Sequence, residues 1–143
     1  MLTVYTLASK EDKKAVRKFW MQTASLRYQP LNVTWMEPLS LEDIQEAHVL
    51  TIVVPKDYLV IGCMSSSFLA ALFQTPVARE CIQGTSQRIP LLISPCDWNT
   101  APSPFSGRLP LSEKYLSESK QPERILHSAV TRLEGALHAR GKE

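Results

Sequence analysis

No glycine stands in Ala8-Ser9-Lys10-Glu11-Asp12, the segment that follows the first β-rich stretch of this sequence. A Gly-rich loop cradling a pyrophosphate at the first strand–helix turn is thereby disfavoured, and with it a dinucleotide held in Rossmann fashion. Charge of one sign is equally scarce. Sixteen basic residues against 14 acidic ones leave +2 with no Lys/Arg block, which argues against direct contact with nucleic acid. The longest apolar runs are broken by Lys, Asp or Ser well short of a membrane span, so no membrane partner is expected. Residues 1–5 offer no charged start ahead of an apolar core, and no signal peptide is expected. Cysteine is limited to Cys63, Cys81 and Cys96, without metal-ligand spacing; an odd number suits a reducing cytoplasm better than a disulfide framework. His48, His127 and His138 are isolated, so no metal site is expected.

What is present is ordinary for a globular protein: 44% hydrophobic and 21% charged residues over 143 positions. That length predicts a single domain over 1–143, with an ordered core from about residue 2 to residue 138. The organising stretch is Arg88-Ile89-Pro90-Leu91-Leu92-Ile93-Ser94-Pro95-Cys96-Asp97-Trp98. A short apolar run closed by Ser-Pro reads as a strand buried on both faces, with Pro-Cys-Asp-Trp at its carboxyl end.

Residues 2–7 form the first predicted strand. Ser9 is a candidate helix N-cap, with Asp12 three residues on. Val16, Phe19, Trp20, Thr23 and Leu26 then recur at the spacing of an amphipathic helix, Phe19 and Trp20 reading as core. Pro30 ends that region, and residues 31–35 predict a short edge strand on which Trp35 packs. Residues 37–40 read as a tight connection, and Ser40 caps a short helix over 41–47 that carries Asp43 in its first turn. Residues 48–54 are β-branched and almost wholly apolar, the pattern of a central parallel strand. Beyond them, Pro76 cannot sit inside one continuous helix. A two-piece helical segment over 66–83 is therefore predicted, with Thr75 and Pro76 starting its second half and Gly84 closing it. Residues 99–110 form a long loop, a weak strand lies near 111–116, and a last helix from about Pro122 carries Leu126, Ala129, Val130, Leu133 and Leu137 on one stripe. This alternation predicts an α/β fold: a flavodoxin-like three-layer sandwich on a five-stranded parallel sheet of order 2-1-3-4-5. Its ligand crevice lies at the carboxyl ends of strands one and three.

Three stretches carry a resemblance. Residues 4–12, Val-Tyr-Thr-Leu-Ala-Ser-Lys-Glu-Asp, match the opening strand and S-x-x-D loop of bacterial TIR (Toll/interleukin-1 receptor) domains. Residues 46–59 are similar to that family's A-D-x-x-x-x-x-x-S-P-D-F-L strand, and residues 88–98 to its V-I-P-V-I-L-R-P-C-D-W strand. The resemblance spans essentially the whole chain, and Pro-Cys-Asp-Trp is its most specific part. It implies one of two activities. Many bacterial and plant members cleave the nicotinamide–ribose bond of NAD once oligomerised, using a glutamate in D-Y-C-x-x-x-E; others are scaffolds that recruit further TIR domains. Cleavage needs a carboxylate beside the ribose as positive charge develops at the anomeric carbon.

Matching Phe68-Leu69-Ala70 to D-Y-C places Gln74 at the glutamate position, where an amide keeps shape and hydrogen bonding but no charge. Otherwise Gln74 is a plain polar helix residue. The remaining carboxylate candidates are Glu80, six residues further on, and Glu37, in a 36–40 loop shorter than the family's usual connection. Ser9, Lys10 and Gln74 would line the nucleotide crevice, although a helix cap alone explains Ser9. Asp97 and Trp98 read as loop-shaping residues, and Cys96 has no base near it in sequence. The resemblance therefore implies a TIR-like assembly module in bacterial defence or signalling. It would need no cofactor and would assemble with itself, with other TIR domains or with a catalytically competent partner. The alternative is an NAD-cleaving effector with a relocated carboxylate, for which NAD is the substrate.

Overall fold

A computed structural model describes residues 2–44, 57–100 and 102–141. β1 (Leu2–Ala8) is the hub of a parallel sheet because both of its faces are apolar. Along one edge it pairs first with β2 (Val33–Trp35) and then with β3 (Leu39–Ser40). Along the other it pairs with β4 (Tyr58–Met64), which pairs in turn with β5 (Arg88–Leu92). Five parallel strands flanked by helices give the expected flavodoxin-like three-layer α/β architecture. The strand order departs slightly from expectation: β2-β1-β4-β5, with β3 following β2 along the same edge of β1.

Three expectations are corrected. The place beside β1 that the predicted order gave to residues 48–54, which lie outside the described residues, is held by Tyr58–Met64. Every residue of β4 is buried, as suits a central parallel strand. Leu39 and Ser40, expected in a connection, return to β1 opposite Leu7 and Ala8. The break between β2 and β3 falls at Pro38, which has no N–H to give a ladder. No strand forms near 111–116 among the described residues. The first residue of that segment is bonded to β5, Leu111 N–H donating to the Pro90 carbonyl, and just past its end Ser117 N–H donates to the carbonyl of Ile93, the residue after β5, each at 2.9 Å. Between them the Ser112 hydroxyl donates to the Lys114 carbonyl at 3.0 Å, a local bond that competes with a ladder.

The predicted first helix is a 3₁₀ turn (Lys10–Asp12) followed by α1 (Lys13–Gln22) and α2 (Ala24–Arg27). The break comes at Thr23, whose hydroxyl donates to the Trp20 carbonyl at 2.6 Å. Phe19 is fully buried, whereas Trp20 is half-buried between the Arg27 guanidinium, 4.0 Å above its ring, and the edge of Trp35. α3 (Leu41–Ile44) follows β3 directly. The two-piece segment is as expected: α4 (Ser66–Phe73) and α5 (Pro76–Gln83), with Pro76 in the first turn of the second. α6 (Pro122–Gly141) buries Leu126, Ala129, Val130, Leu133 and Leu137.

Strand alternation splits the core in two. Leu2 and Val4 of β1 and Leu59, Ile61 and Cys63 of β4 face α1 and α6. Tyr5, Leu7, Tyr58, Val60 and Met64 face α3, α4 and α5, together with Phe105 from the long loop. Gly84 marks a close approach in the second layer. A Cβ there would lie 2.5 Å from the Tyr58 hydroxyl oxygen, which donates to the Cys81 carbonyl at 2.6 Å. Gly84→Ala is therefore expected to break that bond and cost about 1–2 kcal/mol, read as a lowered urea midpoint, with Tyr58→Phe costing about 1 kcal/mol.

Candidate functional site at the carboxyl end of the sheet

In an open α/β sheet the ligand crevice lies beyond the carboxyl ends of the strands where the chain order reverses, here between β1 and β4. Ser9 and Lys10 leave β1 at that point, and Ser65 leaves β4. Ser9 is 2% exposed, and its side-chain oxygen accepts from Glu11 N–H at 3.2 Å, so the cap role is its structural one. Ser65 is 1% exposed and caps α4 by accepting from Phe68 N–H at 3.0 Å. Its hydroxyl donates in turn to the Asp12 carboxylate. That bond spans the mouth of the crevice. It joins the segment after β1 to the segment after β4, fifty-three residues apart.

On the other flank of β1, Lys10 N–H donates to Glu42 Oε2 at 2.7 Å. Glu42 is set there by β3, which places α3 beside the carboxyl end of β1. Its second oxygen, Oε1, is buried and has no hydrogen-bond partner among the described residues. Burial raises the Asp12 carboxyl above the usual carboxylate range. The Ser65 hydrogen bond opposes that rise, while Glu11 and Glu42 reinforce it by repulsion. The Cys96 thiol is also pushed up, first by burial, against the pull of a hydrogen bond from the Trp98 backbone, with the charges of Asp97 and Asp12 adding to the rise. A protonated thiol without a base is a poor nucleophile. Trp98 packs into the core, and its indole N–H donates to the Tyr115 hydroxyl at 3.1 Å. Asp97 is exposed.

The other predicted residues fall elsewhere. Gln74 is exposed at the C-cap of α4, about 13 Å along the helix axis from Ser65 at 1.5 Å per residue. Glu80 is exposed on α5, whose Ala78, Cys81 and Ile82 face the core. Glu37 borders a shallow cleft of about 330 Å³ together with Lys13, Arg17 and Trp20, on the α1 side of the sheet. Ser9 and Lys10 are therefore brought together at the crevice, and Gln74, Glu80 and Glu37 are not. The acids that do stand there are Asp12 and Glu42. Asp12 was legible only as a capping partner, and Glu42 reaches the site through a strand of two residues. Among the described residues no group of three His, Cys, Asp or Glu could hold a metal, and no helix is long and apolar enough to cross a membrane. No protein-family model, curated protein or solved structure matches this chain.

Proposed function

We propose that this chain is a TIR-like interaction and assembly module working in a reducing cytoplasm, in bacterial defence or signalling, rather than a nucleotide-cleaving enzyme. The bond between Ser65 and Asp12 carries the reading, because it occupies the gap where a nucleotide would enter between β1 and β4. Two further features support it. Gln74 is neutral, and beside it Phe73 is 45% exposed at the same end of α4, an apolar group available to another copy or to another TIR domain. Cys63, Cys81 and Cys96 are all unpaired, as a reducing compartment requires.

One observation favours a second reading, NAD cleavage by a relocated carboxylate. Glu42 keeps a buried, unpartnered oxygen at the crevice, a better seat for that role than Glu80 or Glu37. Incubating concentrated protein with NAD while following nicotinamide release separates the two. The assembly reading expects no release above buffer, and a mass by light scattering that rises with concentration and falls back in Phe73→Ser. Release that disappears in Glu42→Gln would establish the second reading instead.

A further inference from the structure

A cavity of about 760 Å³ opens at the opposite end of the sheet, around the start of β5, about 20 Å along the strands from Ser65. It is within the size range of small-ligand sites. Among the described residues β5 is the last strand of the sheet, so Arg88 and Ile89, although they point to opposite faces, both border its outer edge and the cavity. Three guanidinium groups line the space. Arg132 is already engaged: it donates to Glu113 at 3.0 Å and to the Pro110 carbonyl at 3.4 Å. Arg108 and Arg88 have no carboxylate within ion-pair distance among the described residues. Arg108 donates to the Ser86 carbonyl, and the Arg88 Nε is buried with no partner among the described residues. Burial, and then the positive charge of Arg108, lowers the Arg88 pKa, so the two guanidinium groups are close enough to repel.

The loop that carries Arg108 is held in place. Gly107 adopts φ +78°, a left-handed conformation that favours glycine, and its N–H donates to Asn99 Oδ1 at 2.7 Å. Next to Arg108, Leu109 is 88% exposed and forms an apolar lip, with half-buried Ile89 on the wall. Arg88 and Arg108 are each half-buried, and Glu113, the one acid lining the cavity among the described residues, is taken by Arg132. Two neighbouring cations with no acid of their own favour an anion between them, and two guanidinium groups match a dianion in both charge and donor geometry.

We infer that this cleft binds a small phosphate monoester, with the phosphate bridging Arg88 and Arg108 and an apolar or aromatic body lying against Ile89 and Leu109. The site does not depend on the assembly reading. Calorimetry on the full chain with 1-naphthyl phosphate, inorganic phosphate and 1-naphthoate tests it. 1-Naphthyl phosphate should bind about tenfold or more tighter than either of the others. Arg108→Gln should weaken it by about tenfold, and Arg88→Gln by at least as much. Leu109→Ser should weaken 1-naphthyl phosphate severalfold and leave inorganic phosphate unchanged. Arg108 and Leu109 sit on a surface loop, so those two variants decide the matter even if Arg88→Gln fails to fold. No heat with 1-naphthyl phosphate at millimolar concentration, affinity indifferent to Arg108→Gln, or equal affinity for inorganic phosphate would overturn the proposal.

Discussion

Replacing Phe105 with alanine will cost about 3–5 kcal/mol and adding a methyl group at Gly62 about 1–3 kcal/mol, yet the two together will cost less than their sum. Phe105 is fully buried, and its ring meets Phe68 edge-on with centroids 6.1 Å apart. Gly62 lies under that ring in the middle of β4. A Cβ there would stand 2.4 Å from Phe105 Cζ and 2.7 Å from Met64 Cε, both far inside contact distance. The alanine at 62 must therefore displace a ring that has a second aromatic ring behind it, and the strain spreads through the layer formed with α4. Removing the ring takes away the closest of those contacts and leaves space into which the flexible end of Met64 can move, so the new methyl is accommodated at less cost. Urea unfolding of the two single variants and the double variant gives the coupling directly, expected at about 1–2 kcal/mol in the compensating direction. Strict additivity would mean that the sheet, not the ring, yields to the methyl group.

That contact also marks the limit of what the sequence carries. Residues 99–110 read as a loop because Pro102, Pro104 and Pro110 fall within them, and the described ones form no helix or strand. Nothing in their spacing tells that Ser103, Pro104 and Phe105 turn inward and complete the second core. The helices were legible for the opposite reason. Val16 and Phe19 on α1, and Leu126 through Leu137 on α6, bury one stripe each, and periodicity reports one-sided burial faithfully. Pro76 likewise divides α4 from α5 through its own covalent geometry. β4 was hidden by the neighbouring run at 48–54, which is richer in β-branched residues than 59–64 and competes in the sequence for the same place beside β1. Ser9 and Lys10 could be placed at the end of β1 from the sequence, but the acids beside them could not. Asp12 meets Ser65, fifty-three residues away, and Glu42 meets Lys10, thirty-two away, only after β1 has paired with β4 and β3.

Ser65→Ala is expected to cost about 1–2 kcal/mol through loss of the α4 cap alone, and its cost will grow with pH. The hydroxyl serves two partners at once: Phe68 N–H, from which it accepts, and the Asp12 carboxylate, to which it donates. Burial raises the Asp12 pKa in the folded protein, so the native state holds that proton more tightly than the unfolded chain does. The contribution of Asp12 therefore favours folding below the ordinary carboxylate range and is lost as pH rises through the native value. The Ser65 hydrogen bond is the one influence that pulls the native value down. Without it the gap between the native and unfolded values widens, and stability falls more steeply with pH. Asp12→Asn keeps an acceptor for the hydroxyl and removes the ionisation. It should match or exceed the native chain at pH 7 and lose the pH dependence that Asp12 supplies. The double variant should show only the cap loss, constant from pH 4 to pH 7.5. Urea midpoints for the four proteins across that range read out each arm. A Ser65→Ala profile parallel to that of the native chain would mean that the two residues do not share a proton-linked contact, and that the mouth of the crevice stands open between β1 and β4.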